Sequence, residues 1–382
     1  MVTWFVNCLS ILKSTGSNRL TKLSFLPVLF LFITAVSNSQ TIDTAGYRFD
    51  VETPAATKNF FSKDSFWRGA DGASSVDLGN GKVLWLFSDG FVCSDSSRLR
   101  SKSKIIRNSI AIQNGYDPTT ASVKYYWRGS KENPEAFFHN NSDHWYWTGH
   151  GVMIKDRLLV FLMKVKKVNR GLGFEVVGWD AALISNPLDD PLTWKVNYIE
   201  GQETFSAIVG SAAVLKDQAY MYAYSAVEPA THEVYLLRWG IEDAWNGRLQ
   251  KPEWWINDRW IQRNSRYPVP TPLFIGQTEF SVHFDTALKK YIQVQSVGFG
   301  KANIAVRFSE HMQGPWTDLQ TIYMPAYTGV KQPLAYAAKA HPALNGNGIY
   351  ITWNVNSSDF KELIENQSIY FPRFILVGIK KN

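Results

Sequence analysis

Residues 72–90, with the sequence GASSVDLGNGKVLWLFSDG, run from small residues through a short apolar strand and a polar turn into a longer apolar strand. Gly79, Asn80 and Gly81 form a strong hairpin signal, because glycine and asparagine readily adopt the positive φ angles of tight turns. The same order of features recurs in the segments 149–165, 210–226, 279–297 and 338–356. The sequence therefore predicts one β-hairpin unit repeated five times.

The predicted hairpins lie far apart, and further apolar strands often follow them. Their second strands are expected to begin near Val83, Leu158, Ala219, Tyr291 and Ile349, at intervals of 75, 61, 72 and 58 residues. Units of three or four strands at such a period are typical of a β-propeller. We therefore predict an all-β fold, a five-bladed β-propeller over residues 45–382, in which small residues line a crowded central axis. A pair of β-sandwiches is the alternative.

The composition is that of a large globular protein. The chain has 382 residues, of which 45% are hydrophobic and 19% are charged, and this excludes a disordered or coiled-coil protein. Aromatic residues reach 14%, and surplus Trp and Tyr suit either the space between sheets or stacking on sugar rings. The formal net charge of +7 includes three basic residues in positions 1–39, and no run of Lys and Arg follows. Nucleic acid is therefore not an expected partner.

The N-terminus has the pattern of a secretory signal peptide, which is predicted over residues 1–39. Basic residues precede a 14-residue apolar run from Leu23 to Val36, and small polar residues follow it. The run is shorter than the roughly 18 residues of a spanning helix, so no stable membrane insertion is expected after cleavage between Ala35 and Thr41. An uncleaved anchor is the alternative. The predicted location is periplasmic or extracellular, and Cys93 then remains as the only cysteine, which excludes an internal disulfide.

Several segments resemble a known group of secreted propellers. They are 69–91, 279–294, 304–323, 338–357 and 369–379, and the most specific parts are the Gly314-Pro315-Trp316 triplet and the stretch 341–357. These segments are similar to the domain of unknown function 4185 and its relatives, which look related to five-bladed glycoside hydrolases such as family 43. The resemblance implies a secreted glycoside hydrolase acting on a polysaccharide, such as an arabinofuranose-containing glycan. A non-catalytic carbohydrate-binding propeller is the alternative.

The acids of this sequence depart from the pattern of that group. Propellers of the family-43 kind carry Asp, Asp and Glu on the inner strands of their first three blades. Here blade one supplies Asp71, whereas blade two has His150 between two glycines and blade three has Ser211 after a glycine. The remaining inner-strand acid is Glu279 on blade four. The resemblance therefore supports the fold better than the reaction.

Asp71 and Glu279 are the candidate catalytic residues, because hydrolysis of a glycosidic bond uses two carboxyl groups placed across it. We expect Asp71 to act as base or nucleophile, since Gly69, Gly72 and Ala73 clear space around it. We expect Glu279 to act as general acid, with a pKa raised by neighbouring apolar residues. The alternative for Asp71 is a structural bond to backbone N–H groups, and for Glu279 it is a pair with an arginine.

The candidate substrate-binding residues are polar and aromatic side chains near the predicted blade mouths. They are His150, His341, Arg107, Asn108, Asp143, His144, Trp145 and Trp147, the last four forming a predicted sugar-stacking rim with Tyr146. A structural role is the alternative for each histidine. Asp89 is expected to cap a turn or to orient Arg107, and Asp180 and Glu203 are candidates to replace a missing acid.

Other chemistries lack their motifs. The sequence has no G-x-S-x-G, P-loop, H-E-x-x-H or C-x-x-C motif. No metal site and no cofactor are predicted, apart from an ion that His341 could bind at the floor of the funnel. The expected partner is a polysaccharide or oligosaccharide, and the expected form is a monomer.

Overall fold

The computed structural model describes residues 38–44, 46–139, 143–170, 173–202, 205–228, 231–267 and 269–382. The predicted signal segment lies outside the described residues except for its last two positions. Within the described ranges, no helix is long and apolar enough to cross a membrane.

The described chain is almost entirely β-structure. Its strands are β1 (Asn38–Asp43), β2 (Tyr47–Thr53), β3 (Trp67–Gly79), β4 (Lys82–Cys93), β5 (Ser103–Ile106), β6 (Ser109–Asn114), β7 (Ser122–Tyr126), β8 (Arg128–Gly129), β9 (Pro134–Glu135), β10 (Trp145–Ile154), β11 (Arg157–Lys167), β12 (Phe174–Ile184), β13 (Val196–Glu200), β14 (Ala207–Ile208), β15 (Val214–Lys216), β16 (Tyr220–Val227), β17 (Glu233–Gly240), β18 (Glu253–Ile256), β19 (Arg259–Gln262), β20 (Phe274–Ile275), β21 (Ser281–Asp285), β22 (Lys290–Val297), β23 (Asn303–Ser309), β24 (Gln320–Tyr323), β25 (Pro333–Ala340), β26 (Ile349–Ser357) and β27 (Arg373–Lys381). The helices are α1 (Ile241–Trp245), α2 (Phe360–Glu365) and the 3-10 turns Ala55–Thr57, Arg100–Lys102 and Pro191–Thr193.

These strands form antiparallel sheets arranged as a propeller, so the all-β propeller prediction is confirmed. Sheet one contains β3 to β7, sheet two β10 to β13, sheet three β14 to β20 and sheet four β21 to β24. A further small sheet pairs β8 with β9. Sheet five has the order β1-β2-β27-β26-β25 and therefore joins both ends of the described chain. The predicted blade count of five is wrong: four blades are built from continuous segments, and the remaining sheet is a composite of strands from both ends of the described chain.

The local hairpin signals are accurate. The second hairpin strands begin at Lys82, Arg157, Tyr220, Lys290 and Ile349, each within one residue of the expected position. The turn at Gly79, Asn80 and Gly81 has φ angles of 77°, 53° and 75°, which is the conformation that its sequence favours. Turn chemistry acts over a few residues, and this is why it could be predicted.

The hydrophobic core lies between successive sheets. Separate buried clusters join sheets one and two, two and three, three and four, four and five, and five and one. Trp85 of sheet one packs edge-on against Phe374 of sheet five with ring centroids 6.0 Å apart, and both side chains are buried. Burial of each such side chain contributes about 1.5–3 kcal/mol to folding. The surplus aromatic residues therefore mainly fill the space between sheets.

The inner strands approach one another closely around the axis, as predicted from their small residues. A Cβ atom on Gly149 of β10 would lie 2.5 Å from the carbonyl oxygen of Gly210, so only glycine fits there. The His150 N–H donates to that same carbonyl at 2.9 Å, which ties sheet two to sheet three.

β-Bulges interrupt three inner strands where they meet. The register shifts fall between Ala70 and Ser74 in β3, between Thr148 and Gly151 in β10, and between Tyr336 and Lys339 in β25. A bulge re-aims the side chains around it. The residues between these shifts include Asp71 and His150, so the irregular stretches carry the polar groups of the candidate site.

Candidate active site

Asp71 is held by two phenols from sheet five and the chain before β27. The Tyr336 hydroxyl donates to Oδ2 of Asp71 at 2.8 Å, and the Tyr370 hydroxyl lies 3.2 Å from the same oxygen. Tyr370 also donates to the Asp89 carbonyl oxygen at 2.9 Å. A phenol has a single proton, so Tyr370 can donate its hydrogen bond to the Asp89 carbonyl oxygen while its own oxygen accepts a hydrogen bond from a protonated Asp71. This arrangement suits a neutral, protonated Asp71.

The electrostatic surroundings also favour the protonated form of Asp71. The pKa of Asp71 is raised to about 8, first by burial and then by the negative charges of Asp89 and Glu279, although the two tyrosine hydrogen bonds lower it. Part of the side chain still reaches solvent, although protein atoms surround it. Asp71 is therefore a carboxylic acid at neutral pH that remains accessible from outside.

Glu279, the second candidate carboxyl group, forms an ion pair with Lys339. Lys339 Nζ lies 2.6 Å from Glu279 Oε1, with the lysine side chain 1% exposed and the glutamate side chain 22% exposed. The same Nζ donates to the Gly72 carbonyl oxygen at 2.6 Å. One buried ammonium group thus joins the entry of sheet four, the inner strand of sheet five and the residue after Asp71.

Asp89 is the third carboxyl group of the site. The Arg107 guanidinium lies 3.2 Å from its Oδ2, and the Trp147 indole N–H donates to its Oδ1 at 2.9 Å. Burial raises the pKa of Asp89, while Arg107 and the Trp147 hydrogen bond lower it. Asp89 lies within β4 and pairs with Arg107, which corrects the prediction that it caps a turn and agrees with the other prediction, that it orients Arg107.

His150 lies close enough to Lys339 for the lysine charge to affect its pKa. The pKa of His150 is lowered to about 4, mainly by burial and also by the positive charge of Lys339. Its Nδ1 is buried and has no hydrogen-bond partner among the described residues. His150 is therefore a neutral imidazole at the bulge of β10, with an unused ring nitrogen.

His341 has a different environment. Its Nδ1 lies 2.8 Å from the Ser75 hydroxyl and its Nε2 lies 2.7 Å from the Thr352 hydroxyl. The residue is fully buried, and burial holds its pKa well below the usual range. The structural interpretation is therefore the one that its contacts support, since both ring nitrogens are occupied. The ion suggested for this place stays a prediction.

Asn108 does not face the funnel, which corrects the prediction that it binds substrate. The side chain is fully buried, and its amide donates to the carbonyl oxygens of Phe138 and Tyr146 at 2.8 and 2.9 Å. Its Oδ1 accepts from the Phe138 N–H at 2.8 Å. These bonds use both amide hydrogens and fix the segment that precedes β10.

The predicted aromatic rim divides into two groups. Trp145 lies under the Arg107 guanidinium at 4.3 Å from the ring centroid, and Trp147 bonds Asp89, so both belong to the site's wall. Asp143 is instead 73% exposed and pairs with Lys166 at 2.9 Å, with His144 3.6 Å away. Asp143 therefore belongs to a surface ion pair, and His144, which is 16% exposed, lies next to it. The predicted contact of these two residues with sugar has no support in these contacts.

The two suggested replacement acids do not complete the site. Asp180 is buried and pairs with Lys164 at 2.9 Å, while the Tyr146 hydroxyl donates to it at 2.6 Å. These bonds give Asp180 a structural role within sheet two. Glu203 lies outside the described residues.

Sequence reasoning missed the groups that control the two candidate carboxyls, namely Lys339, Tyr336 and Tyr370. Lys339 offered a signal, because a lysine among alanines on an inner strand is unusual for a buried position. Arg100 was missed as well. Its buried guanidinium donates to the carbonyl oxygens of Leu363 and Asn366, each at 2.8 Å, and to that of Ile369, and thereby fixes the loop that carries Tyr370.

The arrangement suits acid–base chemistry. It combines a neutral carboxylic acid, a carboxylate paired with an ammonium group and a third carboxyl paired with a guanidinium group. Among the described residues, no group of three or more His, Cys, Asp or Glu side chains is arranged to hold a metal ion.

A family model described as a domain of unknown function, DUF5005, matches residues 55–378, and the chain therefore belongs to that family. The expected membership of the domain of unknown function 4185 is wrong. The segments that suggested it are hairpins and strand entries, which propellers repeat whatever their family. No curated protein matches the chain.

Solved structures resemble the chain at low identity. A Bacteroides ovatus protein described as a candidate hydrolase has 17% identity and a TM-score of 0.68, covering 86% of this chain and 90% of its own. The catalytic domain of a Coprinopsis cinerea GH62 α-L-arabinofuranosidase has 9% identity and a TM-score of 0.47, covering 82% and 92%. An α-L-arabinofuranosidase from Lactobacillus brevis has 11% identity and a TM-score of 0.47, covering 83% and 92%. The first likeness shows a shared fold.

Proposed function

We propose that this member of the DUF5005 family is a glycoside hydrolase that cleaves a polysaccharide or oligosaccharide. The observation that carries the proposal is the contrast between its two inner carboxyl groups. Asp71 has a pKa of about 8, whereas Glu279 is paired at 2.6 Å with a buried ammonium group. Hydrolysis of a glycosidic bond uses one carboxyl group that donates a proton and a second that activates water or attacks the sugar, and a protonated Asp71 together with an ion-paired Glu279 provides such a set.

The environments favour the reverse of the roles expected from sequence. Asp71 holds a proton at neutral pH and acts as the general acid, donating it to the leaving oxygen as the bond to the anomeric carbon breaks. Glu279 carries the negative charge and either activates water or attacks the anomeric carbon. In the first case the proton of the attacking water passes to Glu279, and exchange with solvent restores both groups.

A carbohydrate-binding propeller is the second candidate. It is favoured by the engagement of Glu279 and Asp89 with Lys339 and Arg107, since such pairs can be purely structural. It is also favoured by the lack of inner acids on sheets two and three, where His150 and Ser211 stand instead. The two candidates differ in one measurable respect, the release of new reducing ends.

A panel of polysaccharides separates the two candidates. Arabinan, arabinoxylan, xylan and galactan should be incubated with the protein between pH 5 and 8 and scored for reducing ends. We expect release from at least one of them, with arabinofuranose-containing glycans as the first to test. The rate should fall above about pH 8, where Asp71 loses its proton. Retention of a glycan without any release would instead establish the binding propeller.

We also propose that the chain is exported and cleaved after Ser37. Strand β1 begins at Asn38 and pairs with β2 from Asn38↔Thr53 to Asp43↔Arg48, so a later cut would remove pairs from sheet five. Ala35 and Ser37 place small residues at the positions that signal peptidases favour. N-terminal sequencing of protein secreted from cells that express the full chain should begin at Asn38. Recovery of the intact chain in the cytosol would contradict export.

A further inference from the structure

A cavity leads away from the candidate active site between sheets four and five. It has a volume of about 260 Å³, and its lining includes Glu279, Ser296, Phe299 and Tyr336. Glu279 belongs to the proposed catalytic pair, and Tyr336 bonds Asp71 at 2.8 Å. A ligand in this cavity would therefore be continuous with one that reaches the two carboxyl groups.

Phe299 lines this cavity and is 94% exposed, more than any other large hydrophobic side chain among the described residues. It lies in the loop between β22 and β23, between Gly298 and Gly300, whose φ angles are 100° and 75°. An aromatic ring held in water forgoes about 1.5–3 kcal/mol of burial energy. Because Phe299 lines a cavity next to the candidate active site, its exposed ring is available to contact a bound ligand.

The loop that carries Phe299 is anchored. The Gly300 carbonyl oxygen accepts hydrogen bonds from the N–H groups of Ala302 at 3.0 Å and of Ala335 on β25 at 2.8 Å. The second bond ties the loop directly to sheet five. The ring is therefore presented from a fixed backbone rather than from a free tip.

The other lining groups define the chemistry that the cavity accepts. Gln277, Thr278 and Ser296 supply hydrogen-bonding groups, and the opposite wall is apolar, with Leu334 and Ala335. A sugar ring combines an apolar C–H face with hydroxyl groups, and this mixed lining matches both. Glu279 is the only charged residue among those of the described chain that line the cavity. Its negative charge disfavours an acidic sugar.

We propose that this cavity is a subsite for a neutral sugar ring of the glycan, with Phe299 as the stacking platform. The inference rests on the proposed function for the identity of the ligand as a glycan, but it concerns binding and not cleavage. It predicts that the protein also binds a sugar unit of the glycan that is not part of the cleaved bond, on the side of sheets four and five.

Affinity gel electrophoresis in arabinan, arabinoxylan, galactan, β-glucan and polygalacturonate tests the subsite. The Asp71→Asn variant should serve as the background, so that no glycan is consumed during the run. At least one neutral polysaccharide should retard this protein and polygalacturonate should not. Phe299→Ala in the same background should weaken binding about tenfold, the loss expected for a stacking contact of about 1.4 kcal/mol. Phe299→Trp should retain binding.

Phe284→Ala is the matched control. Phe284 is also an exposed phenylalanine of sheet four, at 46%, but it lies at the opposite end of the β21–β22 hairpin, where it packs against Tyr291. Its replacement should leave retardation unchanged. Equal binding by Phe299→Ala, or retardation by no neutral polysaccharide, would overturn the subsite. Loss of binding in Phe299→Ala without glycan cleavage by the unmodified protein would keep the subsite and reject the hydrolase.

Discussion

Asp71→Asn should reduce glycan cleavage by ~10² or more while the protein still folds, because this is the usual contribution of a positioned acid. Asparagine keeps the shape of the side chain, and its oxygen can still accept the Tyr336 hydroxyl hydrogen bond seen at 2.8 Å. It has no acidic proton to give to a leaving oxygen. The measurement is kcat/KM on the glycan that the unmodified protein cleaves, together with the circular dichroism spectrum.

The same variant should change how stability depends on pH. The pKa of Asp71 is about 8 in the folded protein, against an ordinary value of 3.8. Between these values the folded protein keeps a proton that the unfolded chain has lost, so the free energy of unfolding falls as pH rises from about 4 to about 8. Asp71→Asn lacks this dependence. Its melting temperature should match that of the unmodified protein near pH 4 and exceed it increasingly towards pH 8.

Asp77→Asn is the control for both measurements. Asp77 lies on the same strand, is exposed, and accepts hydrogen bonds from the Gly79 N–H at 2.8 Å and the Tyr116 hydroxyl at 3.0 Å, which asparagine can also accept. Neither activity nor the pH profile of stability should change. An Asp71→Asn protein that folds and retains full activity would remove Asp71 from the mechanism. Loss of folding would favour the structural alternative.

The hairpins of this fold could be predicted because their information is local. A turn such as that at 79–81 depends on three residues, and the alternation on either side places the strands. The composite sheet could not be found in this way. Its closure pairs Tyr47 with Lys381, residues at opposite ends of the described chain, and no short window of sequence contains that contact. The same sheet explains why the predicted start of the domain at residue 45 falls after β1.

The acidic residues of the candidate site could be predicted from the sequence, but the protonation of Asp71 could not. The sequence predicts Asp71 and Glu279 as the acids of the site, and in the structure the charge of Glu279 acts on Asp71. The protonation of Asp71 depends on its burial, on Asp89 and Glu279, and on two tyrosines, Tyr336 on β25 and Tyr370 in the loop before β27. The roles expected from sequence were therefore assigned without the interactions that set them.

Asn108 shows the limit of interpreting a polar residue beside a strand. An asparagine between Arg107 and β6 is equally compatible with a position that faces the funnel and with a buried position that hydrogen-bonds backbone groups. The buried role requires the carbonyl oxygens of Phe138 and Tyr146, which are 30 and 38 residues away. Hydrogen-bond partners so far along the chain cannot be recognised from the local sequence pattern.

Lys339→Met should have the second large effect, on stability and activity together. Methionine has a similar length but no charge, so Glu279 would lose its partner at 2.6 Å and the Gly72 carbonyl would lose its donor. Removal of one member of a buried pair costs about 3–5 kcal/mol. Since Glu279 is 22% exposed, solvent screens part of its charge, and we expect the lower end of that range. Urea unfolding measures the loss.

The pKa of His150 distinguishes an electrostatic role of Lys339 from packing alone. The charge of Lys339 lowers this pKa in the unmodified protein, so it should rise in Lys339→Met, and NMR titration of the imidazole can follow the change. An unchanged pKa of His150 in a folded Lys339→Met protein would limit the lysine to packing.

The matched control is Lys380→Met, which removes a lysine paired with Asp50 at 2.9 Å on the surface, where the lysine side chain is 69% exposed. Exposed pairs of this kind contribute little to stability, so the stability at neutral pH and the titration of His150 should hardly change. Should Lys339→Met fail to fold, the double variant with Glu279→Gln provides the test. Removing both charges leaves no uncompensated carboxylate, so the double variant should be more stable than Lys339→Met alone. A double variant no more stable than the single one would show that Lys339 does not act through Glu279, and the ion pair would then lose its place in the proposed mechanism.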